Sequence, residues 1–154
     1  MKPSPPITTI TLDILGEHTK SKLECLEITN SYIEILNRIK RNNLDCNISI
    51  KPSHIGTDID SAYFLNNLNL IHQESIKRKN FLRIDMENSS LTDITIKAFK
   101  KNYQTHKNIG IVIQSYLLRS ENDINKLQEG MNIRLCKGIY NENKNKDNSE
   151  KEKK

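Results

Sequence analysis

The chain has 154 residues, of which 28% are charged and 35% hydrophobic. This length suits one ordinary domain and excludes a large two-domain enzyme. No apolar run reaches the roughly 18 residues that a spanning helix needs. The first nine residues lack both the apolar core of a signal peptide and the arginines of a transit peptide, so a cytoplasmic protein is expected.

The charge and the cysteines narrow the functional classes further. The formal net charge is +5, but the cations are scattered, which argues against a nucleic-acid partner. The cysteines, Cys25, Cys46 and Cys136, are odd in number and widely spaced, so free thiols are expected rather than disulfides. The four histidines lack metal-ligand spacing, and no metal site is predicted.

The sequence predicts strands and helices that alternate along the chain. The strands are rich in isoleucine and valine with few polar interruptions, which is typical of a parallel sheet covered on its outer face. The helices show apolar residues at steps of three and four, Asp60 is a plausible N-cap, two serines before residue 91 can cap the third helix, and Gly130 ends the fourth. In chain order, the elements are strand 8–14, helix 19–42, strand 46–51, helix 60–79, strand 81–85, helix 91–104, strand 109–117, helix 121–129 and strand 132–138.

Two α/β architectures fit this alternation, an open doubly wound sheet and a (β/α)8 barrel. A dinucleotide-binding doubly wound sheet has a glycine-rich turn after its first strand, whereas here that turn contains Gly16 alone. Polar residues instead recur where strands end, as barrel enzymes require; they are Glu17, Lys51, Asp85, Gln114, and Arg134 with Lys137. We therefore predict a partial TIM-type barrel of about five βα units within residues 1–140.

The last residues have a different composition. Residues 141–154 contain five lysines and four acidic residues with almost no apolar side chains. Such a segment cannot bury a core and is predicted to be disordered. Because a barrel needs eight strands, the five predicted here must be completed by something else.

Five blocks of sequence carry a resemblance to a known family. The blocks TLDILGE, ISIKPSHIGTDID, LRIDMENSSLTD, GIVIQSYLLRSENDI and IRLCKGIYNE occur between residues 11 and 142. In order and spacing they resemble proline dehydrogenase of the bacterial single-function type. The resemblance implies a distorted (β/α)8 barrel that binds FAD and oxidises L-proline to Δ1-pyrroline-5-carboxylate. It also implies a membrane quinone as electron acceptor and hence peripheral contact with a membrane.

The resemblance assigns cofactor-binding roles to four residues. Arg134 matches the arginine near flavin N5, where a fixed cation stabilises the charge that develops on reduction. Gln114 matches a glutamine that contacts the isoalloxazine edge, and Lys137 and Gly138 match residues that border the FAD. Strand alternation predicts that Lys137 points away from Arg134.

Three further residues match substrate-binding positions. The resemblance implies that Lys51 holds the substrate carboxylate, that Asp85 is a pocket carboxylate in a polar network, and that Tyr140 forms one wall of the proline pocket. The residues alone leave other interpretations open. Lys51, Arg134 and Lys137 can be solvated cations, Asp85 can cap the next turn, and Tyr140 can be a surface residue.

Departures from the family pattern leave alternative functions open. Pro52, Cys136 and Ile139 replace the usual leucine, valine and alanine. Strands six to eight, and a family helix that carries a tyrosine and paired arginines, have no counterpart in the sequence. We therefore expect impaired activity; the alternative is an inactive remnant that needs a complementing chain or self-association. A third hypothesis is a Schiff-base lyase that uses Lys51 or Lys137.

Overall fold

The computed structural model describes residues 10–142, and it confirms the predicted alternation of strands and helices. Boundaries differ at several ends: the fourth strand stops at Gln114 instead of residue 117, and the fourth helix stops at Asn125 with Lys126 as its C-cap, so the prediction that Gly130 ends this helix is wrong. The elements are β1 (Ile10–Leu12), α1 (Lys22–Arg41), β2 (Cys46–Ile50), α2 (Ser61–Lys77), β3 (Leu82–Ile84), α3 (Thr92–Thr105), β4 (Ile109–Gln114), α4 (Ser120–Asn125) and β5 (Asn132–Cys136).

Side-chain caps fix where the first helices start. The Ser21 hydroxyl accepts a hydrogen bond from the Glu24 amide (3.1 Å) at the start of α1, and the Asp60 carboxylate accepts one from the Tyr63 amide (2.7 Å) at the start of α2. The prediction that two serines cap α3 is wrong. Asn88 caps the preceding 3-10 turn instead, accepting from the Ser90 amide at 3.1 Å.

The five strands form one parallel sheet in the order β1-β2-β3-β4-β5. Each strand is paired with its neighbour in sequence, so the strand order never reverses. A doubly wound sheet contains such a reversal, and the sequential order therefore confirms the partial TIM-type barrel. The structure comprises five parallel strands in a half-barrel with four helices.

The two faces of the sheet have different chemistry. Isoleucines and leucines of β2, β3 and β4 are fully buried and form the main core with α1, α2 and α3. Because side chains alternate along a strand, the residues between them lie on the opposite, concave face. The register places Ser49 beside Arg83, and Val112 beside Arg134, on that face.

The end of the chain is only partly described. The Glu142 carboxylate accepts hydrogen bonds from the amide and hydroxyl of Ser89, each at 2.5 Å. Residues 143–154 lie outside the described residues, so disorder of the 141–154 tail stays a prediction there. The three cysteines are free thiols, as expected. Between residues 10 and 142, no helix has the length and apolar character needed to cross a membrane.

Candidate active site at the carboxyl ends of the strands

A cavity of about 400 Å3 lies where the strands end. We call it the rim cleft. It is lined by Glu17 and by all seven residues to which the family resemblance assigns roles, which are Lys51, Asp85, Gln114, Arg134, Lys137, Gly138 and Tyr140. Carboxyl ends of parallel strands meet at one edge of the sheet, so residues far apart in sequence converge there. The structure thus brings together the whole predicted set.

Gln114 ends β4 and is almost completely buried, with 2% of its surface exposed. Its side-chain amide donates to the Met86 carbonyl oxygen at 3.0 Å, which fixes the orientation of the side chain. Its Oε1 atom is buried and accepts no hydrogen bond from any residue between 10 and 142. An unsatisfied buried acceptor costs about 1–3 kcal/mol. This atom therefore marks a position where a ligand donor would be stabilising.

Asp85 and Arg134 form a network across the concave face. Arg134 Nη2 donates to Asp85 Oδ1 at 2.6 Å, and the Ser49 hydroxyl donates to the same oxygen at 2.8 Å. Burial raises the pKa of Asp85 above its ordinary value, while the Ser49 hydrogen bond and the Arg134 charge oppose that rise. The carboxylate is thus held by side chains from β2 and β5. The interpretation of Asp85 as a turn cap is not supported, because Asn88 caps the next turn.

Lys51 follows β2 and contacts a carboxylate that sequence reasoning missed. Its ammonium group forms an ion pair with Asp13 Oδ2, and only 16% of the Lys51 side chain is exposed. Lys51 is therefore not a solvated strand end. The ion pair also argues against the Schiff-base hypothesis for this residue, because a nucleophilic lysine must be desolvated or otherwise activated as the free amine.

A turn at Gly138 folds the end of β5 over the rim cleft. Gly138 has a φ of +102°, and a Cβ atom there would lie 2.3 Å from the Tyr116 ring, so only glycine fits. The Tyr116 amide donates to the Lys137 carbonyl oxygen at 3.0 Å. Both Lys137 and Arg134 line the cleft, and the opposite orientation of their side chains stays a prediction. Strand β5 ends at Cys136, directly before Lys137.

Tyr140 closes one side of the rim cleft. Its hydroxyl donates to Glu17 Oε1 at 3.0 Å, and its carbonyl oxygen accepts from the Tyr116 hydroxyl at 3.1 Å. Burial raises the pKa of Tyr140, and the hydrogen bond to Glu17 adds to the rise. The phenol therefore stays protonated at neutral pH. Tyr140 thus contacts a residue 123 positions earlier in the chain and is not simply a surface residue.

Glu87 is a buried acid of the cleft that the sequence analysis did not identify. It is 1% exposed and accepts hydrogen bonds from the Ser53 amide at 2.7 Å and from the Ser53 hydroxyl at 2.5 Å. Burial raises the pKa of Glu87 despite these bonds. Glu87 lies three residues beyond β3, and this offset from a strand end is the signal that could have found it. Residues 10–142 contain no group of three or more His, Cys, Asp or Glu placed to hold a metal ion.

A sequence comparison decides the family. The family model described as Proline dehydrogenase matches residues 4–154. The chain belongs to the proline dehydrogenase family. The resemblance carried by the five sequence blocks is thereby confirmed.

Curated relatives in the proline dehydrogenase family are about twice as long as this chain. Proline dehydrogenase 2 of Bacillus subtilis strain 168 is 33% identical over 135 residues, which are 86% of this chain and 44% of the relative. The proline dehydrogenase of Deinococcus radiodurans is 31% identical over 135 residues, 84% of this chain and 44% of the relative. The chain therefore spans less than half the length of these relatives.

Two solved structures superpose on this chain. Proline utilization A (PutA) from Bdellovibrio bacteriovorus, inactivated by N-propargylglycine, superposes with a TM-score of 0.76 at 25% identity, covering 85% of this chain and 17% of that protein. PutA from Corynebacterium freiburgense superposes with a TM-score of 0.67 at 20% identity, covering 84% of this chain and 16% of that protein. The second likeness supports the half-barrel alone.

Proposed function

We propose that this chain takes part in the FAD-dependent oxidation of L-proline to Δ1-pyrroline-5-carboxylate, with the rim cleft as the active site. Family membership supports the reaction class. The single observation that supports the cleft is the unpartnered Oε1 atom of Gln114, which lies buried in a cavity lined by cationic and carboxylate side chains. The cavity volume falls within the range of about 300–1,000 Å3 typical of ligand pockets.

The residues of the rim cleft fit an isoalloxazine ring. The free Gln114 Oε1 can accept a hydrogen bond from a flavin ring N–H. Arg134 supplies a fixed positive charge, held by Asp85, that would stabilise a reduced flavin beside it. Gly138 has no side chain, so backbone can approach the ring closely, and Lys137 adds a second cation. FAD, when bound, would supply the hydride acceptor for the reaction.

The remaining residues of the cleft would bind the substrate. The Lys51 ammonium would bind the carboxylate of proline, since a carboxylate and an ammonium form a charge-assisted hydrogen bond. Asp85 would face the ring nitrogen from the polar network on the concave face. Tyr140, held by Glu17, would exclude water from one side of the proline ring. The roles of Lys51 and Tyr140 follow the family resemblance, which gives Asp85 only as a pocket carboxylate in a polar network.

The family resemblance also supports a quinone as the final electron acceptor and peripheral contact with a membrane. The alternative proposal is that the chain alone is inactive and works with a complementing chain or a second copy. Strands β1 and β5 have no further strand partner among residues 10–142, which favours this alternative. An unpaired strand edge is a ready template for pairing with another chain.

Flavin binding by purified protein tests the proposal. The chain is titrated with FAD, and the visible absorption and fluorescence of the flavin report binding. Gln114→Leu should weaken FAD binding about tenfold, because it replaces the free acceptor with an apolar group. Gln128→Leu, on the exposed surface beyond α4, is the matched control and should bind like the parent. Equal affinity in both variants, or no binding by the parent chain, would contradict the proposed site.

Reaction with the substrate completes the test. The FAD-loaded chain is mixed with L-proline in the absence of oxygen and of any quinone, and bleaching of the flavin is followed; a quinone analogue added afterwards should reoxidise the flavin and restore its colour. Bleaching that requires L-proline supports the proposed reaction. Binding of FAD without bleaching would favour the alternative in which a complementing chain is needed, and restoration of bleaching by an added fragment would establish it.

A further inference from the structure

His18 is a titratable residue beside the rim cleft that the proposed reaction does not use. It lies in the loop after β1, directly after Glu17, and has a φ of +58°. A positive φ is uncommon outside glycine, although histidine adopts it more often than most residues. The His18 amide donates to the Ser53 hydroxyl oxygen at 3.1 Å, and the Thr19 hydroxyl donates to the Ser53 carbonyl oxygen at 3.0 Å. The loop is thereby anchored to the segment that follows β2.

The anchored backbone places the His18 ring between two carboxylates. Its Nδ1 atom lies 2.6 Å from Oδ2 of Asp58, in the loop before α2, and its Nε2 atom lies 3.9 Å from Glu17 Oε2. The second distance is longer than a hydrogen bond but within the range of an ion pair. The other oxygen of Glu17 accepts the hydrogen bond from the Tyr140 hydroxyl at 3.0 Å. Glu17 therefore connects the histidine to the Tyr140 side of the rim cleft.

The charge state of His18 decides whether it attracts Glu17. As an imidazolium, His18 has a proton on each ring nitrogen and attracts both carboxylates. When it loses one proton, the remaining proton stays on Nδ1, where it donates to Asp58, and Nε2 then presents a lone pair to Glu17. A lone pair and a carboxylate oxygen repel each other. Deprotonation thus reverses the sign of one contact and keeps the other.

The acidic groups around His18 favour its protonated form. The hydrogen bond with Asp58 raises the pKa of His18 above its ordinary value of 6.5, although burial opposes the rise. The negative charges of Asp58, Glu87 and Glu17 raise it further, and they face His18 from three different loops. Because the folded pKa is raised, the stabilisation from this cluster is fully present below pH 6.5. It is lost as the pH rises through the folded pKa.

We propose that His18 is a pH-dependent positioning residue for the Tyr140 side of the rim cleft. As an imidazolium it bridges Asp58 and Glu17 and holds Glu17 against the Tyr140 hydroxyl; as a neutral imidazole it releases Glu17. This coupling concerns only side chains of the chain itself. Its consequence for ligands rests on the proposed function, because it assumes that flavin and substrate occupy the cleft beside Tyr140. The coupling and the consequence can therefore be tested separately.

Nuclear magnetic resonance of histidine-labelled protein tests the bridge. The His18 ring signal, assigned by its absence in His18→Gln, should titrate with a midpoint above pH 6.5 in the parent. Asp58→Asn removes the charge at the short contact and should lower that midpoint. Asp45→Asn changes an exposed acid directly before β2, at the opposite end of that strand, and is the matched control with an unchanged midpoint. Equal midpoints in the parent and in Asp58→Asn would overturn the proposed bridge.

The Tyr140 phenol reports the coupling to the cleft. In protein labelled at the tyrosine ring carbon that bears the hydroxyl group, the Tyr140 signal, assigned with Tyr140→Phe, should shift with the same midpoint as His18. His18→Gln should abolish this shift, and so should Glu17→Gln, which keeps an acceptor for the phenol but removes the charge. His106→Gln, at an exposed histidine, should retain it. A Tyr140 signal that does not change with pH, or that still titrates in His18→Gln, would overturn the proposal.

Two other acids of the cleft require a control. Burial raises the pKa values of Asp85 and Glu87, and titration of either acid would also move the Tyr140 signal. Such a shift would persist in His18→Gln, and its midpoint would not follow that of His18 in Asp58→Asn. The two variants together therefore separate His18 from these acids.

FAD binding at two pH values tests the consequence for ligands. The dissociation constant of the parent should rise between pH 6 and pH 9, and this rise should be up to about fivefold smaller in His18→Gln, the effect of losing a partly exposed contact. His106→Gln should show the parental rise. An unchanged rise in His18→Gln would overturn the consequence. Absence of FAD binding in every variant would refute the proposed function and the consequence with it, whereas the coupling is decided by the Tyr140 signal.

Discussion

The two faces of the sheet stabilise the protein in different ways. On the outer face, Ile84 and Ile111 are fully buried against helices, and their contribution comes from apolar area removed from water. On the concave face, Ser49 and Arg134 both donate hydrogen bonds to Asp85. Apolar packing keeps the strands in register, and the concave face can then hold polar groups at fixed distances. In this fold, stability therefore comes mainly from the outer face of the sheet, and the groups available for chemistry lie on the concave face.

The largest effect should come from the outer face. Ile111→Ala removes a fully buried side chain at the centre of β4 and should lower the free energy of unfolding by about 2–5 kcal/mol. Ile10→Ala is the matched control, because Ile10 is 51% exposed on the edge strand, and its cost should be well under half as large. Urea denaturation followed by circular dichroism measures both. Similar losses in the two variants would show that the outer face is not the source of stability.

A smaller effect, directed at the cleft, should come from Gly138→Ala. The φ of +102° disfavours alanine by about 1–3 kcal/mol, and the new Cβ would displace the Tyr116 ring. We expect the loss of free energy of FAD binding to exceed the loss of free energy of unfolding. Gly130→Ala also has a positive φ, but its Cβ would lie 3.7 Å from the nearest atom, the Tyr103 hydroxyl oxygen. Equal FAD affinity in the two variants would show that the Gly138 turn does not shape the cleft.

The smallest effect should be a pH dependence of the free energy of unfolding that originates in helix α2. His72, on α2, is fully buried, and burial lowers its pKa below 6.5, although hydrogen bonds with Asn108 and Asn102 oppose the shift. The folded state therefore favours neutral His72. This contribution to stability is fully present above pH 6.5 and is lost as the pH falls through the lowered pKa.

Unfolding experiments between pH 5 and pH 8 measure that contribution. The change for a single group is at most about 1.4 kcal/mol per pH unit. His72→Gln should reduce the loss of stability on acidification, while the other titrating groups, including His106, remain in both proteins. A pH profile that is the same for the parent and for His72→Gln would exclude this role for His72.

Much of the fold could be predicted from the sequence because its signals are local. Apolar runs defined the strands, and the absence of a glycine-rich turn after the first strand favoured the barrel over the doubly wound sheet. The candidate site could be predicted because the carboxyl ends of parallel strands must share one edge. Lys51, Asp85, Gln114 and Arg134 converge for that topological reason.

The errors arose where tertiary contacts decide the outcome. Asp13 lies inside an apolar block, and nothing local indicates that Lys51 forms an ion pair with it. Glu87 depends on a long-range contact with Ser53. Sequence spacing alone contains none of this information.

A crystal structure of the chain grown with FAD would test the central claim most directly, namely that the strand ends form one cleft for the flavin. We predict an isoalloxazine ring in the rim cleft, with a ring N–H donating to Gln114 Oε1 and with Arg134 beside the ring. A flavin bound elsewhere, or Gln114 and Arg134 pointing to different sides of the molecule, would contradict the account.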